Sequence, residues 1–276
     1  MIRKLLLSTV ACISLAGAAS AADLPRRAAP VFTPVPVFTW TGFYLGANVG
    51  YINNDSDPIR TLGIGALQAN VTNNLRRPSV LLRQDGFTGG GQIGYNYQLT
   101  PGQGVVIGVE ADAQYTDLSR SRVENIFIPA INPNRLTNTY REELGFLGTV
   151  RGRIGYGFDK ALIYATGGFA YGDVTQTVSF QTNAPVTYTG TRSGILTGYA
   201  YGGGVEFALP TDSFLNFFRS SAVTLKGEYL RYDLGGRNVF VPSTGAPLSP
   251  GVGYTSRFST EGSIARAGIN YKFGSY

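Results

Sequence analysis

An all-β chain of eight antiparallel strands is what this sequence predicts, on three observations. Apolar and polar residues alternate with period two in eight separate stretches, glycine and aromatic residues are abundant (37 Gly, 17 Tyr, 16 Phe), and charged residues make up only 14% of 276. Alternation over four or more residues marks a half-buried strand. Soluble domains usually carry about 25% charge, so this chain is short of a conventional solvent face.

The elements follow in order. Residues 1–21, "MIRKLLLSTVACISLAGAASA", place Arg3 and Lys4 before an apolar run that ends in Ala19-Ser20-Ala21. This is the pattern of a secretory signal peptide cut after Ala21. Cleavage lowers the formal charge from +6 to +4 by removing Arg3 and Lys4, and it removes Cys12, leaving neither Cys nor His. Disulfides, thiol chemistry, soft metal sites and Ser-His triads are thereby excluded. Residues 22–39 carry Pro25, Pro30, Pro34 and Pro36 and read as an extended lead segment. Residues 40–276 form the folded part.

The expected strands cover 40–51, 87–99, 104–116, 144–158, 161–172, 195–209, 222–234 and 263–273. In the first, Phe43, Leu45, Ala47, Val49 and Tyr51 oppose Tyr44, Gly46, Asn48 and Gly50. In the third, Val109, Ala111, Ala113 and Tyr115 oppose Glu110, Asp112 and Gln114. The fifth is ambiguous in phase, with Gly167-Gly168 as a candidate bulge. Long loops, such as those of about 35 and 27 residues after the first and third strands, alternate with tight turns at 99–103 and 157–160; 210–220 is a longer connection on the turn side. No apolar run after residue 21 reaches the 18 or so residues of a membrane-spanning helix.

Which face meets water decides the class. A soluble sandwich would pack the apolar faces together; a membrane barrel turns them to lipid and keeps polar residues inside. The polar faces are rich in Gly, Ala, Thr, Asn and Gln, which suit a narrow lumen. Aromatic residues cluster near strand ends, as interfacial girdles require. Glu110, Asp112, Glu206 and Glu228 balance Arg151, Arg153, Lys226 and Arg266 on those polar faces, as a closed interior demands of buried charge. These eight residues are the expected interior charge ladder. The prediction is an eight-stranded up-and-down transmembrane β-barrel, whose closure removes every sheet edge.

Several stretches resemble a known family. "ADLPRR", "FTWTGFYLGANVGY", "GFLGTVRGRIGY", "LIYATGGFAYG", "LKGEYLRYDLG" and "ARAGINYKF" are similar to the small outer-membrane β-barrel proteins of alphaproteobacteria, porin-like relatives of the OmpA transmembrane domain that include surface antigens and haemin-binding members. The resemblance spans nearly the whole mature chain but not the long loops. It implies outer-membrane localisation, insertion by the barrel-assembly machinery, and surroundings of lipid and lipopolysaccharide. Arg266, Gly268, Tyr271 and Phe273 match the family's C-terminal assembly signal; since "GSY" follows, Tyr276 is the alternative recognised aromatic.

Remaining candidates have plainer accounts. "GGGQIG" (89–94) fits a nucleotide-binding spacing, but a strand continues where a helix is required; glycines packing under neighbours explain it better. Arg60, Arg76, Arg77 and Arg83 in the first long loop, and Arg120, Arg122, Arg135 and Arg141 in the second, are interleaved with acids. Loop solvation is the favoured account, and contact with lipopolysaccharide phosphates or an acidic host or phage ligand the sharper one. No cofactor, catalytic constellation or nucleic-acid site is expected. The expected role is structural, an envelope barrel displaying surface loops; a small porin-like channel or a haemin or other ligand receptor is the alternative.

Overall fold

The computed structural model describes residues 37–54, 58–182, 187–210, 212–218, 220, 222–244 and 251–274. The signal peptide, residues 22–36 of the proline-rich segment, Asp55, Asp57 and Tyr276 lie outside the described residues.

Ten strands run in chain order: β1 (Gly42–Asn54), β2 (Ile59–Gly63), β3 (Ser79–Val80), β4 (Gln84–Gln98), β5 (Gln103–Ile128), β6 (Asn132–Phe158), β7 (Ala161–Gln181), β8 (Tyr188–Leu209), β9 (Ala222–Pro242) and β10 (Gly253–Phe273). Eight of them, β1 and β4 to β10, pair antiparallel in sequence order. The ring closes where β1 meets β10, with Phe43 opposite Phe273 and Asn54 opposite Gly262. β10 continues past the end of β1, and β2 takes up its free edge from Arg60 opposite Arg257 to Gly63 opposite Tyr254. The ladder hydrogen bonds of the wall are thus satisfied around the circumference, the condition for crossing hydrocarbon with strands.

The strands extend well beyond the expected limits at one end. The 27-residue loop expected after residue 116 is instead a continuation of β5 and β6, which turn over at 129–131. The physical reason lies in a reversal of polarity along each strand. On the lower part of β7, Ile163 and Phe169 face outward while Leu162, Tyr164 and Ala170 are buried. Above Asp173 the outward positions become Thr175, Thr177 and Ser179, and the inward ones Val174, Gln176, Val178 and Phe180. The upper outer wall is built for water, with Thr177 and Ser179 hydrogen-bonded across to Thr191 and Thr189. A sheet of this polarity has no lipid-facing apolar stripe, so it reads as loop when only that stripe is sought.

The same pattern fixes the phase of the fifth expected strand, β7: Leu162 and Tyr164 point inward. The candidate bulge at Gly167-Gly168 is absent, since both residues pair in unbroken register with β6 and β8. The irregularity falls at Gly145, where β6 shifts against β7 and β5 shifts between Tyr115 and Leu118.

The outward apolar belt is bounded by aromatics. Tyr51, Phe87, Tyr115 and Tyr199 lie toward the long end, and Phe43, Tyr97, Phe158, Phe207 and Phe273 toward the short turns, all at least two-fifths exposed. From Val105 to Tyr115, at roughly 3.3 Å per residue and a tilt of roughly 40°, the wall climbs about 25 Å, the height of an outer-membrane apolar band. The turn 99–102 at the lower rim uses Gly102 at φ +80°, a left-handed conformation that glycine adopts without strain.

Inside, side chains fill the ring in layers. Trp40, Val106, Leu162, Tyr164 and Ala208 close the lower end. A charged layer follows, then Ile52, Leu118, Leu144, Leu147, Val174, Leu230 and Ile264. In the uppermost part the β1–β4 connection folds inward: Val71, Val80 and Leu82 pack with Tyr140, Val178, Phe180, Val239, Tyr254 and Phe258 of the wall. Each fully buried apolar side chain of this kind contributes about 1.5–3 kcal/mol.

Candidate functional site

The charged layer is assembled from inward positions of five strands, each one spelled by the period-two alternation of its strand. Glu110 and Arg151 are direct cross-strand partners on β5 and β6, while Asp112 lies opposite Thr149 and Arg153 opposite Gly108. Glu110 is the centre. Its carboxylate accepts from Arg151 Nη2 at 2.6 Å, Lys226 Nζ at 3.0 Å and the Tyr44 hydroxyl at 2.8 Å. Asp112 accepts from Arg151 Nη2 at 2.8 Å, Arg266 Nη2 at 3.0 Å and Thr149 Oγ1 at 2.7 Å.

The network crosses the lumen as well as following the wall. Glu228 on β9 receives Arg266 Nε at 2.7 Å and the Tyr164 hydroxyl at 2.8 Å, and lies 3.3 Å from Arg151 Nη1. Arg153 bridges to Glu206 at 2.9 Å and donates to the Tyr44 hydroxyl at 2.6 Å, with its guanidinium 3.8 Å from the Tyr164 ring centroid. Glu206 also accepts from Asn270 at 2.8 Å and from Thr224. The charged side chains of the layer are at most 2% exposed. Arginine suits such a place because its planar fork serves several carboxylates at once.

Three members were not singled out in the sequence. Tyr44 and Tyr164 sit where glycines leave room: a Cβ at Gly94 would collide with the Tyr44 hydroxyl, and one at Gly204 would meet that of Tyr164 at 2.7 Å. That is the packing role of "GGGQIG", whose Gly94 and Gln92 are both inward; Gln92 links Asn48 to Asn270. The third is Lys272, a buried fifth cation lying 5.7 Å from the Phe38 ring centroid. It stands outside the count of four acids and four bases, although its inward phase was legible from β10.

The arginines expected in loops are mostly on strands: Arg60 on β2, Arg120 and Arg122 on β5, Arg135 and Arg141 on β6. Arg120 pairs with Asp85 at 2.9 Å, Arg122 with Glu124 at 3.0 Å, Arg77 with Glu124 at 3.4 Å, and Arg141 with Glu143. Arg135 stacks 5.4 Å from the Phe127 centroid. Arg83 and Arg120 line one outer hollow, Arg60 and Arg257 another of about 300 Å³. Arg76 departs from the expectation altogether. It is 2% exposed and donates to Asn138 inside the upper barrel, because the connection that carries it folds inward and not over the rim. Solvation and lipid contact are both excluded for it.

Of the C-terminal residues, Arg266 belongs to the charged layer, and Gly268 lies against Ala47 of β1 at the closing seam. Phe273 faces outward, and the Tyr271 hydroxyl donates to Leu215 O at 2.9 Å, holding the 210–220 turn to the wall.

A closed ring with a lipid-height apolar belt, two aromatic girdles and an ion-paired interior defines an outer-membrane β-barrel. The family model for the outer membrane protein beta-barrel domain matches residues 8–273, and the chain belongs to that family. It is 30% identical to the 31 kDa outer-membrane immunogenic protein of Brucella melitensis over 98% of this chain and all of that one. It is 31% identical to a 22 kDa outer membrane protein of Rhizobium leguminosarum, over 62% of this chain and 58% of that one. Among solved structures it is similar to OprG of Pseudomonas aeruginosa, at 12% identity and a TM-score of 0.44, covering 85% and 97% of the two chains. The protein resides in the outer membrane, in a lipid and lipopolysaccharide environment.

Proposed function

We propose that the protein is a structural envelope barrel that holds a rigid, water-exposed sheet above the membrane as a surface-display platform. The observation that carries this reading is the filled interior. Among the described residues the lumen is filled by apolar layers at both ends, by the inward-folded connection, and by the charged layer between, whose side chains are at most 2% exposed. Such a barrel spends its lumen on stability rather than on transport. The immunogenic character in the name of the Brucella relative agrees with an exposed upper sheet. Arg60, Arg83 and Arg120 are exposed beside two outer hollows, which supports contact with lipopolysaccharide phosphates or an acidic host or phage ligand, though Arg120 already has an acid partner. Insertion by the barrel-assembly machinery through the C-terminal strand belongs to the same reading.

Planar-bilayer recording and surface proteolysis test it together. Wide-pore conductance should be absent, and the 129–131 hairpin tip should be cleaved on intact cells. Sugar-permeable channels in the wild type would refute it.

A further inference from the structure

We propose that the hollow beside Arg76, in the upper barrel, binds a small organic anion of single-sugar size, a sugar acid whose carboxylate sits on the Arg76 guanidinium. The hollow measures about 210 Å³ and is lined by Asn70, Leu75, Arg76, Leu136, Tyr188 and Tyr254, with Asn132 and Thr182 beside them. It lies on the water side of the upper aromatic girdle, remote from the charged layer.

Charge is the first argument. Arg76 is 2% exposed, yet among the described residues no carboxylate lies within ion-pair distance of it; its partners are the neutral oxygens of Asn138, Gln181 and the Tyr254 hydroxyl, and the Phe180 ring, 5.0 Å away. By contrast, Arg151, Arg153, Lys226 and Arg266 of the charged layer are each met by acids. A buried guanidinium without an anion is costly, and its preferred partner is a carboxylate or other planar oxyanion taken bidentately.

The lining supplies the rest. Leu75, Leu136 and the two tyrosine rings offer apolar surface for the body of a ligand, and the amides of Asn70 and Asn132 offer hydroxyl partners at the half-exposed rim. Asn70 is held in place by the Tyr254 hydroxyl at 2.8 Å. A few placed polar groups in a mostly apolar hollow are the usual composition of a small-molecule site. The volume is below the roughly 300–1,000 Å³ of drug-sized sites, which suits one sugar ring and excludes a porphyrin or an oligosaccharide.

Calorimetric titration of the folded full chain in detergent micelles tests the assignment, with sodium glucuronate, glucose and sodium sulfate as probes. Glucuronate should bind one to one, with glucose and sulfate each at least tenfold weaker. Arg76→Gln should weaken glucuronate at least tenfold without changing glucose, and Thr182→Trp, which narrows the hollow and leaves the guanidinium in place, should weaken glucuronate likewise. Equal binding of glucose and glucuronate would overturn the anion assignment, and equal binding of sulfate the organic one. Undetectable glucuronate binding in the folded wild type would overturn the site itself. Should Arg76→Gln fail to fold, wild-type glucuronate affinity in the Thr182→Trp variant would overturn it equally.

Discussion

Replacing Arg151 by Ala removes the residue that touches three carboxylates at once: Glu110 at 2.6 Å, Asp112 at 2.8 Å and Glu228 at 3.3 Å. The side chain is wholly buried, so no solvent waits to take over its role. Removing one partner of a buried ion pair costs about 3–5 kcal/mol. Lys226 and Arg266 remain beside Glu110 and Asp112, which places the expected loss near the lower end, about 3 kcal/mol. Arg120→Ala supplies the comparison, because its pair with Asp85 is half exposed on both sides; exposed pairs contribute at most about 1 kcal/mol.

Trp40 provides the assay. It is the single tryptophan of the chain, is buried at the lower end, and donates its indole N–H to Asp159 O at 3.0 Å, so opening of the barrel shifts its emission. Urea unfolding in phospholipid vesicles should show a loss of about 3 kcal/mol for Arg151→Ala and under about 1 kcal/mol for Arg120→Ala. Adding Asp112→Asn to Arg151→Ala removes one of the acids left short of a partner and should recover part of the loss. If Arg151→Ala unfolds within about 1 kcal/mol of wild type, the layer is not a stabilising lock, and the account of the filled lumen fails with it.

The Arg151→Ala/Arg153→Ala double variant should pass small ions in planar bilayers where the wild type is silent; silence in both would mean that the apolar layers alone seal the barrel. Truncation from Tyr271 onward should abolish heat-modifiable migration of the membrane-inserted form, because β10 then cannot close on β1 at Phe43 and Leu45. Glu142, buried above the membrane, accepts from Gln176 at 2.9 Å and Thr260 at 2.7 Å, and burial raises its carboxyl pKa. A folded pKa above the unfolded one makes the native state bind more protons, so stability falls as pH rises from about 4.5 through the folded value. Glu142→Gln should therefore be the more stable protein at pH 7 and lose its advantage at pH 4, read as unfolding temperature by circular dichroism.

The lower barrel was legible and the upper was not, for one physical reason. Below the upper girdle, lipid demands an apolar outer stripe, so Val105 to Tyr115 on β5 or Phe43 to Tyr51 on β1 announce both strand and phase. The inward charges follow from the same parity, which is how Glu110, Asp112, Arg151 and Arg153 came out on one side. Which acid meets which base followed only across β5 and β6, where Arg151 meets Glu110 and Asp112 and Arg153 lies 3.4 Å from Glu110. Arg153 lies opposite Gly108, so it turns across the lumen to Glu206 and makes no contact with Asp112, an outcome set by register and by the glycine niches that admit Tyr44 and Tyr164.

Above the girdle the solvent on the outer wall changes from lipid to water, and the code inverts while the strands continue. The stretch from Leu136 to Leu144 alternates as cleanly as any lower strand, with Leu136, Asn138, Tyr140, Glu142 and Leu144 buried against Thr137, Thr139, Arg141 and Glu143. Its charges and threonines suggested a loop only because the water side of a sheet was not expected there. The inversion also explains the inward turn of the first connection. Once Val178, Phe180, Val239 and Phe258 face the axis, an open mouth would expose them to water, and Val71, Val80 and Leu82 cover them instead. Arg76 is carried inside by that covering, which is why a residue read as solvated loop ends as the one buried cation of the upper barrel without an acid among the described residues. Lid, inverted sheet and buried arginine are thus three consequences of one boundary, the height at which the outer wall leaves the lipid.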